Sequence, residues 1–169
     1  SYGQLIVQST FYPTSADIIV SCVDTHPRNY YRKYNAVTNP TGYAGGDDAW
    51  TREQTMLAKA LRTVSAQIPA GLAIDANNDG YVDNVCFVVS GGVEAWADLL
   101  WPHMSSLTIE RVPINGKVVG NYNFQLRDAL LNPGNMVYVL AHELFHSLGA
   151  PDLYHYSHLP PDPVGPWDI

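Results

Sequence analysis

The sequence predicts an α+β fold, on three observations. Apolar residues recur at helical spacing between Thr51 and Ile68, "NVCFVVSGG" is a continuous apolar run of strand type, and "MVYVLAHELFHSL" reads as a second helix. One helix should lie against a sheet. The other is apolar nearly all round, so it is expected to be buried.

Taken in order, "QLIVQSTFYP" reads as a first strand ending at Pro13, and "DIIVSCV" as a second. "NPTGYAGGDD" is a loop. Thr51 with Gln54 three residues on has the form of a capping box. Leu57, Ala60, Leu61, Val64 and Ile68 then share one helical face, Trp50 and Met56 read as packing, and Pro69 and Gly71 stop the helix. "NVCFVVSGG" is expected as a buried central strand. "VPINGKVVGNYNF" reads as a hairpin turning at Asn115-Gly116, with Val118 and Val119 in its core. The second helix begins near Asn132, with Pro133 at its first position, and ends at Gly149, a natural left-handed cap. The last twenty residues, rich in Pro, Tyr and His, should be irregular. No repeat or linker divides the chain, so 1–169 reads as a single domain.

At 169 residues and 46% hydrophobic, the chain can bury a core. Nine basic against sixteen acidic residues give a formal charge of −7, which argues against a nucleic-acid partner and offers no basic patch to anionic membranes. The longest apolar run is too short to span a bilayer. The sequence opens on Ser1 with no signal peptide, so a mature or trimmed chain is expected. Cys22 and Cys86 read as buried free thiols or, in an oxidising compartment with neighbouring strands, as one bridge.

The chemistry concentrates in "HELFHSLGAPD". His142 and His146 stand four residues apart, so a helix puts both on one face with Cβ atoms roughly 5–6 Å apart, able to point at one ion. Zinc suits such imidazole ligands. Glu143 lies about 100° round the helix, from where it can reach a water beside the ion without being a ligand. That is the arrangement of H-E-x-x-H metallopeptidases, with Glu as general base. A buried apolar helix carrying two histidines and a glutamate is costly unless they coordinate or pair. Gly149 permits a sharp turn that brings Asp152 back as a third ligand; His155 and His158 are its rivals.

A second ion site is suggested by "DANNDGYVD", which sets Asp75, Asn77, Asp79, the Tyr81 carbonyl and Asp83 around Gly80 like the first nine positions of a calcium loop. Cys86 stands where the closing glutamate belongs, and a strand follows instead of a helix. Two readings stay open: Ca²⁺ bound by a loop of another kind, or a plain Asx-rich turn.

"HELFHSLGAPDLY" followed by "VGPWDI" resembles the secreted zinc metallopeptidases typified by immune inhibitor A, and the wider metzincin group. "DANNDGYVDNVCFVVSGG" and "WPHM" are similar to further stretches of that family, so the resemblance runs from about Asp75 to Ile169. It implies a metzincin-like zincin catalytic domain, with a twisted mixed sheet packed on a backing helix and a zinc-binding active-site helix. It also implies Zn²⁺ on His142, His146 and Asp152, Glu143 as the catalytic base, and hydrolysis of peptide bonds in protein or peptide substrates outside the cell. By the same resemblance the chain is expected to end before the methionine turn and the closing subdomain.

The expectation is therefore a zinc endopeptidase in which Glu143 assists attack by water. The alternative is a non-catalytic secreted calcium-binding or adhesion module with a vestigial zinc site; a zinc hydrolase of non-peptide amides is a third reading. Other residues admit both functional and structural readings. His103 could line a cleft or be a hydrogen-bonded loop histidine, and Ser90-Gly91-Gly92 could offer backbone to a peptide or be a strand-end turn. Tyr154 and Tyr156 could stabilise an oxyanion or pack, and Trp96 and Trp101 read as packing.

Overall fold

The computed structural model describes residues 7–15, 18–93, 99–132 and 136–152. Among these the fold is α+β, with a small mixed sheet and three α-helices. Strands β1 (Thr14–Ser15) and β2 (Ile18–Ile19) pair antiparallel. Helix α1 (Gly46–Val64) is followed by β3 (Val85–Val89) and β4 (His103–Ser106). A hairpin of β5 (Pro113–Ile114) and β6 (Lys117–Val118) leads into β7 (Asn121–Leu126). The short α2 (Arg127–Leu130) and α3 (Met136–Ser147) complete the described elements.

The central strand is β7. It pairs parallel with β3 and antiparallel with β4, in the order β3-β7-β4. This corrects the expectation that "NVCFVVSGG" is central. That run lies at the edge of the described sheet, with Val85, Phe87 and Val89 turned to the core and Cys86 and Val88 exposed. The central strand is the more polar "NYNFQL", and five of its six residues are buried. Period-2 alternation explains this. Tyr122, Phe124 and Leu126 join the α1 residues Leu57, Ala58 and Leu61 in the apolar core, while Asn123 turns to the other face and reaches Ser147 of α3. Each fully buried large apolar side chain contributes roughly 1.5–3 kcal/mol.

Helix α1 starts five residues before Thr51, which is therefore not a cap. The Thr51 hydroxyl donates to the Asp47 carbonyl within the helix, and the Asp48 carboxylate accepts from the Ala44 N–H just before it. Gln54 is not part of a capping box either. It is fully buried, donating to the Ser106 carbonyl and accepting from the N–H groups of Thr108 and Ile109. Of the expected face, Leu57, Leu61 and Val64 are buried, joined by Glu53, Gln54 and Ala58.

The first expected strand is not found in 7–13, and "DIIVSCV" is strand only at Ile18–Ile19; the Val20 N–H still donates to the Pro13 carbonyl, but Val20 and Val23 are exposed. Cys22 and Cys86 are free but exposed, so neither their burial nor a bridge is found. The turn at Asn115-Gly116 is as expected, with φ of 49° and 81°, the left-handed pair a two-residue hairpin needs. Helix α3 is not buried all round. Tyr138, Leu140 and Phe145 are exposed, because the sheet covers only the side that carries Glu143 and Ser147.

Candidate metal centre

Helix α3 ends as the sequence suggests. Gly149 takes φ 92°, its N–H donates to the His146 carbonyl, and the Ala150 N–H donates to the Phe145 carbonyl. These are the paired bonds of a left-handed glycine cap. They turn the chain back across the last helical turn and set two groups against the histidines. The Ala150 carbonyl accepts from His146 Nδ1 at 2.8 Å, and Asp152 Oδ1 comes to 3.1 Å from both His142 Nε2 and His146 Nε2.

The two Nε2 atoms are themselves 3.1 Å apart, so three candidate ligand atoms form a near-equilateral triangle. Two ligands about 2.0 Å from a tetrahedral ion lie about 3.3 Å apart, so this triangle fits such an ion. The chemistry agrees. A carbonyl only accepts, so His146 Nδ1 carries the proton given to Ala150, and in the neutral ring Nε2 holds a lone pair. That lone pair faces a carboxylate oxygen, an arrangement that a cation relieves. His142, His146 and Asp152 are the one group of this kind among the described residues.

A polar chain anchors the helix end to the sheet. Asn123 donates to Ser147 Oγ at 2.7 Å and to Asn84 Oδ1 at 2.9 Å, and Ser147 donates to Asn84. Glu143 is the most buried side chain described on α3, at 6% exposure. Burial pushes its carboxyl above the usual range; the rings of His142, His146 and His103 and the Met104 N–H oppose that rise.

His103 belongs to a buried cluster. Its Nδ1 faces the Trp101 carbonyl at 2.8 Å and its Nε2 faces Glu53 Oε1 at 3.1 Å, where the Tyr122 hydroxyl also donates at 2.7 Å. Burial alone would lower the His103 pKa, but the hydrogen bond and charge of Glu53 outweigh it and raise it. Trp101 stacks on His103 with ring centroids 5.3 Å apart. Sequence reasoning missed Glu53 and Tyr122. The signal was present: Glu53 precedes Leu57 by four residues, on the same side of the helix as the apolar stripe.

The acidic loop is built differently. Asp75 accepts from the N–H groups of Asp79 and Gly80 and from Lys117 Nζ at 2.6 Å; Lys117 holds its carboxyl below the usual carboxylate range. Asp79 accepts from the Tyr81 N–H and from the Asn77 amide, and Asp83 accepts from the Ala76 N–H. These carboxylates are thus bonded to backbone N–H groups and, at Asp75, to an ammonium group.

Ser90 and Gly92 give their carbonyls to Arg28, and Gly91 accepts from the Asp128 N–H, so this segment is a strand-end turn tied to its neighbours. Tyr154, Tyr156, His155, His158 and Trp96 lie outside the described residues. No described helix is long and apolar enough to cross a membrane. Compared with known proteins, the chain matches no family model and no curated sequence.

Proposed function

We propose that the chain is a zinc-dependent endopeptidase of the metzincin-like kind, similar to the immune inhibitor A-like family and acting on extracellular proteins. The observation that carries this reading is the 3.1 Å triangle of His142, His146 and Asp152 beside the buried carboxylate of Glu143. Two imidazoles and one carboxylate are a donor set suited to catalytic zinc, and three protein ligands leave a fourth position open. The Ala150 carbonyl orients His146, the outer partner that ligating histidines require.

When bound, zinc supplies Lewis acidity, lowering the pKa of water to about 7 and polarising a carbonyl. Glu143 takes the proton from the attacking water and passes it to the leaving amine. Its burial raises its proton affinity, as a base working near neutral pH requires. The test is zinc stoichiometry of the purified chain together with a casein assay. Stoichiometric zinc with hydrolysis that Glu143→Gln removes supports the reading; stoichiometric zinc with no hydrolysis of any peptide favours a non-catalytic module.

A further inference from the structure

The cluster around His103 is built as a clamp. The ring has Phe124 stacked on it at 5.3 Å and 11°, Trp101 at 5.3 Å and 29°, and an acceptor at each nitrogen. The Trp101 carbonyl can only accept, so Nδ1 carries a proton, and the hydrogen bond and charge of Glu53 at Nε2 raise the ring's proton affinity. Its partner Glu53 is 1% exposed and is held in turn by Tyr122. A buried ion pair of this kind is weak as a source of stability but strong as a source of geometry.

What it holds is strand β4. His103 begins the strand, and its ring also ties down the Trp101 carbonyl just before it. Gln54, the residue after Glu53 on α1, grips the Ser106 carbonyl at the strand's other end and the N–H groups of Thr108 and Ile109 beyond it. Adjacent α1 side chains therefore clamp both ends of an edge strand. Ladder alternation sets the rest. The Leu107 N–H bonds the Gly120 carbonyl, so the Met104 N–H, three residues back, points away from β7. It meets the Glu143 carboxylate there.

We propose that the Glu53–His103 pair is a positioning device that fixes β4 so that the Met104 N–H orients Glu143, making His103 and Glu53 positioning residues and not ligands or catalytic groups. The proposal rests on the reading of Glu143 as the base. A carboxylate swinging freely beside the ion would lose the orientation on which efficient proton transfer depends.

The test uses the zinc-loaded full chain and a casein-derived peptide. His103→Gln is expected to lower kcat roughly tenfold, with KM and zinc affinity within about twofold of the parent. Glu53→Gln, which keeps shape and some hydrogen bonding, should lower kcat less. In the Glu143→Gln background, His103→Gln should cost nothing further, because residues acting through one group are not additive. Loss of zinc in His103→Gln, unchanged kcat in both single variants, or a full additional loss on top of Glu143→Gln would overturn the proposal.

A second readout needs no hydrolysis. Both His103 ring nitrogens should show protonated ¹⁵N shifts at neutral pH, and Glu143→Gln and His103→Gln should each displace the Met104 amide resonance. A Met104 amide indifferent to Glu143→Gln overturns the clamp. An inactive parent chain that shows this coupling overturns the peptidase reading alone and leaves the clamp standing.

Discussion

At the end of α3, ligand atoms of His142, His146 and Asp152 crowd to 3.1 Å, while in the loop from Asp75 to Asp83 every carboxylate accepts from an N–H group. Both segments place acidic or histidine side chains at ion-binding spacing, yet they answer to different backbones. A helix C-terminus presents carbonyls and the negative end of the helix dipole, so it has few N–H groups to offer a carboxylate and favours a cation. A tight Asx turn presents successive N–H groups inward. In the loop these donors and Lys117 do the neutralising that an ion would otherwise do. What separates the cluster that could hold a metal ion from the acidic loop is thus the supply of local donors.

The largest effect expected from this comparison is on catalysis. Glu143→Gln keeps size but removes the base, so zinc should stay bound while peptide hydrolysis falls roughly 10²–10⁴-fold. Metal analysis beside the assay checks both halves, and zinc loss would make Glu143 a ligand.

Next comes stability linked to metal. Zinc at a hundredfold excess over its Kd should stabilise by about 2.7 kcal/mol, which for a chain of this size is a rise in Tm of about 5–10 °C. Asp152→Ala should abolish the rise, while His155→Ala and His158→Ala should keep it. Calorimetry in which His158→Ala removes the rise and Asp152→Ala does not would break the ligand assignment.

A smaller effect concerns acid. The Asp75 carboxyl is lowered in the folded chain by Lys117, so the folded state binds fewer protons there than the unfolded state. Its contribution is therefore present above the unfolded pKa of about 4 and is lost as pH falls through the folded value. Lys117→Met should lower stability near neutral pH and move acid unfolding to higher pH, the difference between the two chains vanishing as pH falls through the folded Asp75 value. Superimposable acid transitions for the two chains would remove Lys117 from the loop's design.

The smallest effect is calcium. With Lys117 seated on Asp75 and backbone donors on the remaining carboxylates, millimolar Ca²⁺ should leave Tm unchanged at fixed zinc. A rise in Tm that Asp79→Ala abolishes would restore the loop as a calcium site and collapse the contrast with α3.

The features legible from sequence are those decided within a few residues. Four-residue spacing puts His142 and His146 side by side on any α-helix, Gly149 turns the chain because only glycine takes φ near 92° without strain, and Asn115-Gly116 makes its turn for the same steric reason. The α+β class followed from runs of apolar residues with two different periods.

Tertiary structure decided what depends on distant partners. Which strand is central was misjudged because hydrophobicity marks "NVCFVVSGG", whereas β7 owes its place to pairing on both edges and lets Asn123 be buried by giving it Asn84 and Ser147. Glu53 and Gln54 lie in the interior for a like reason: His103, Tyr122 and the Ser106 carbonyl come from strands some fifty or more residues away. The exposed outer side of α3 could not be told from a buried one, since an apolar face says nothing of what covers it. The chain itself determined that two histidines and a glutamate stand together on one helix; only the packing of that helix on β7 and β4 decided that the glutamate is buried, because burial is a property of neighbours and not of spacing.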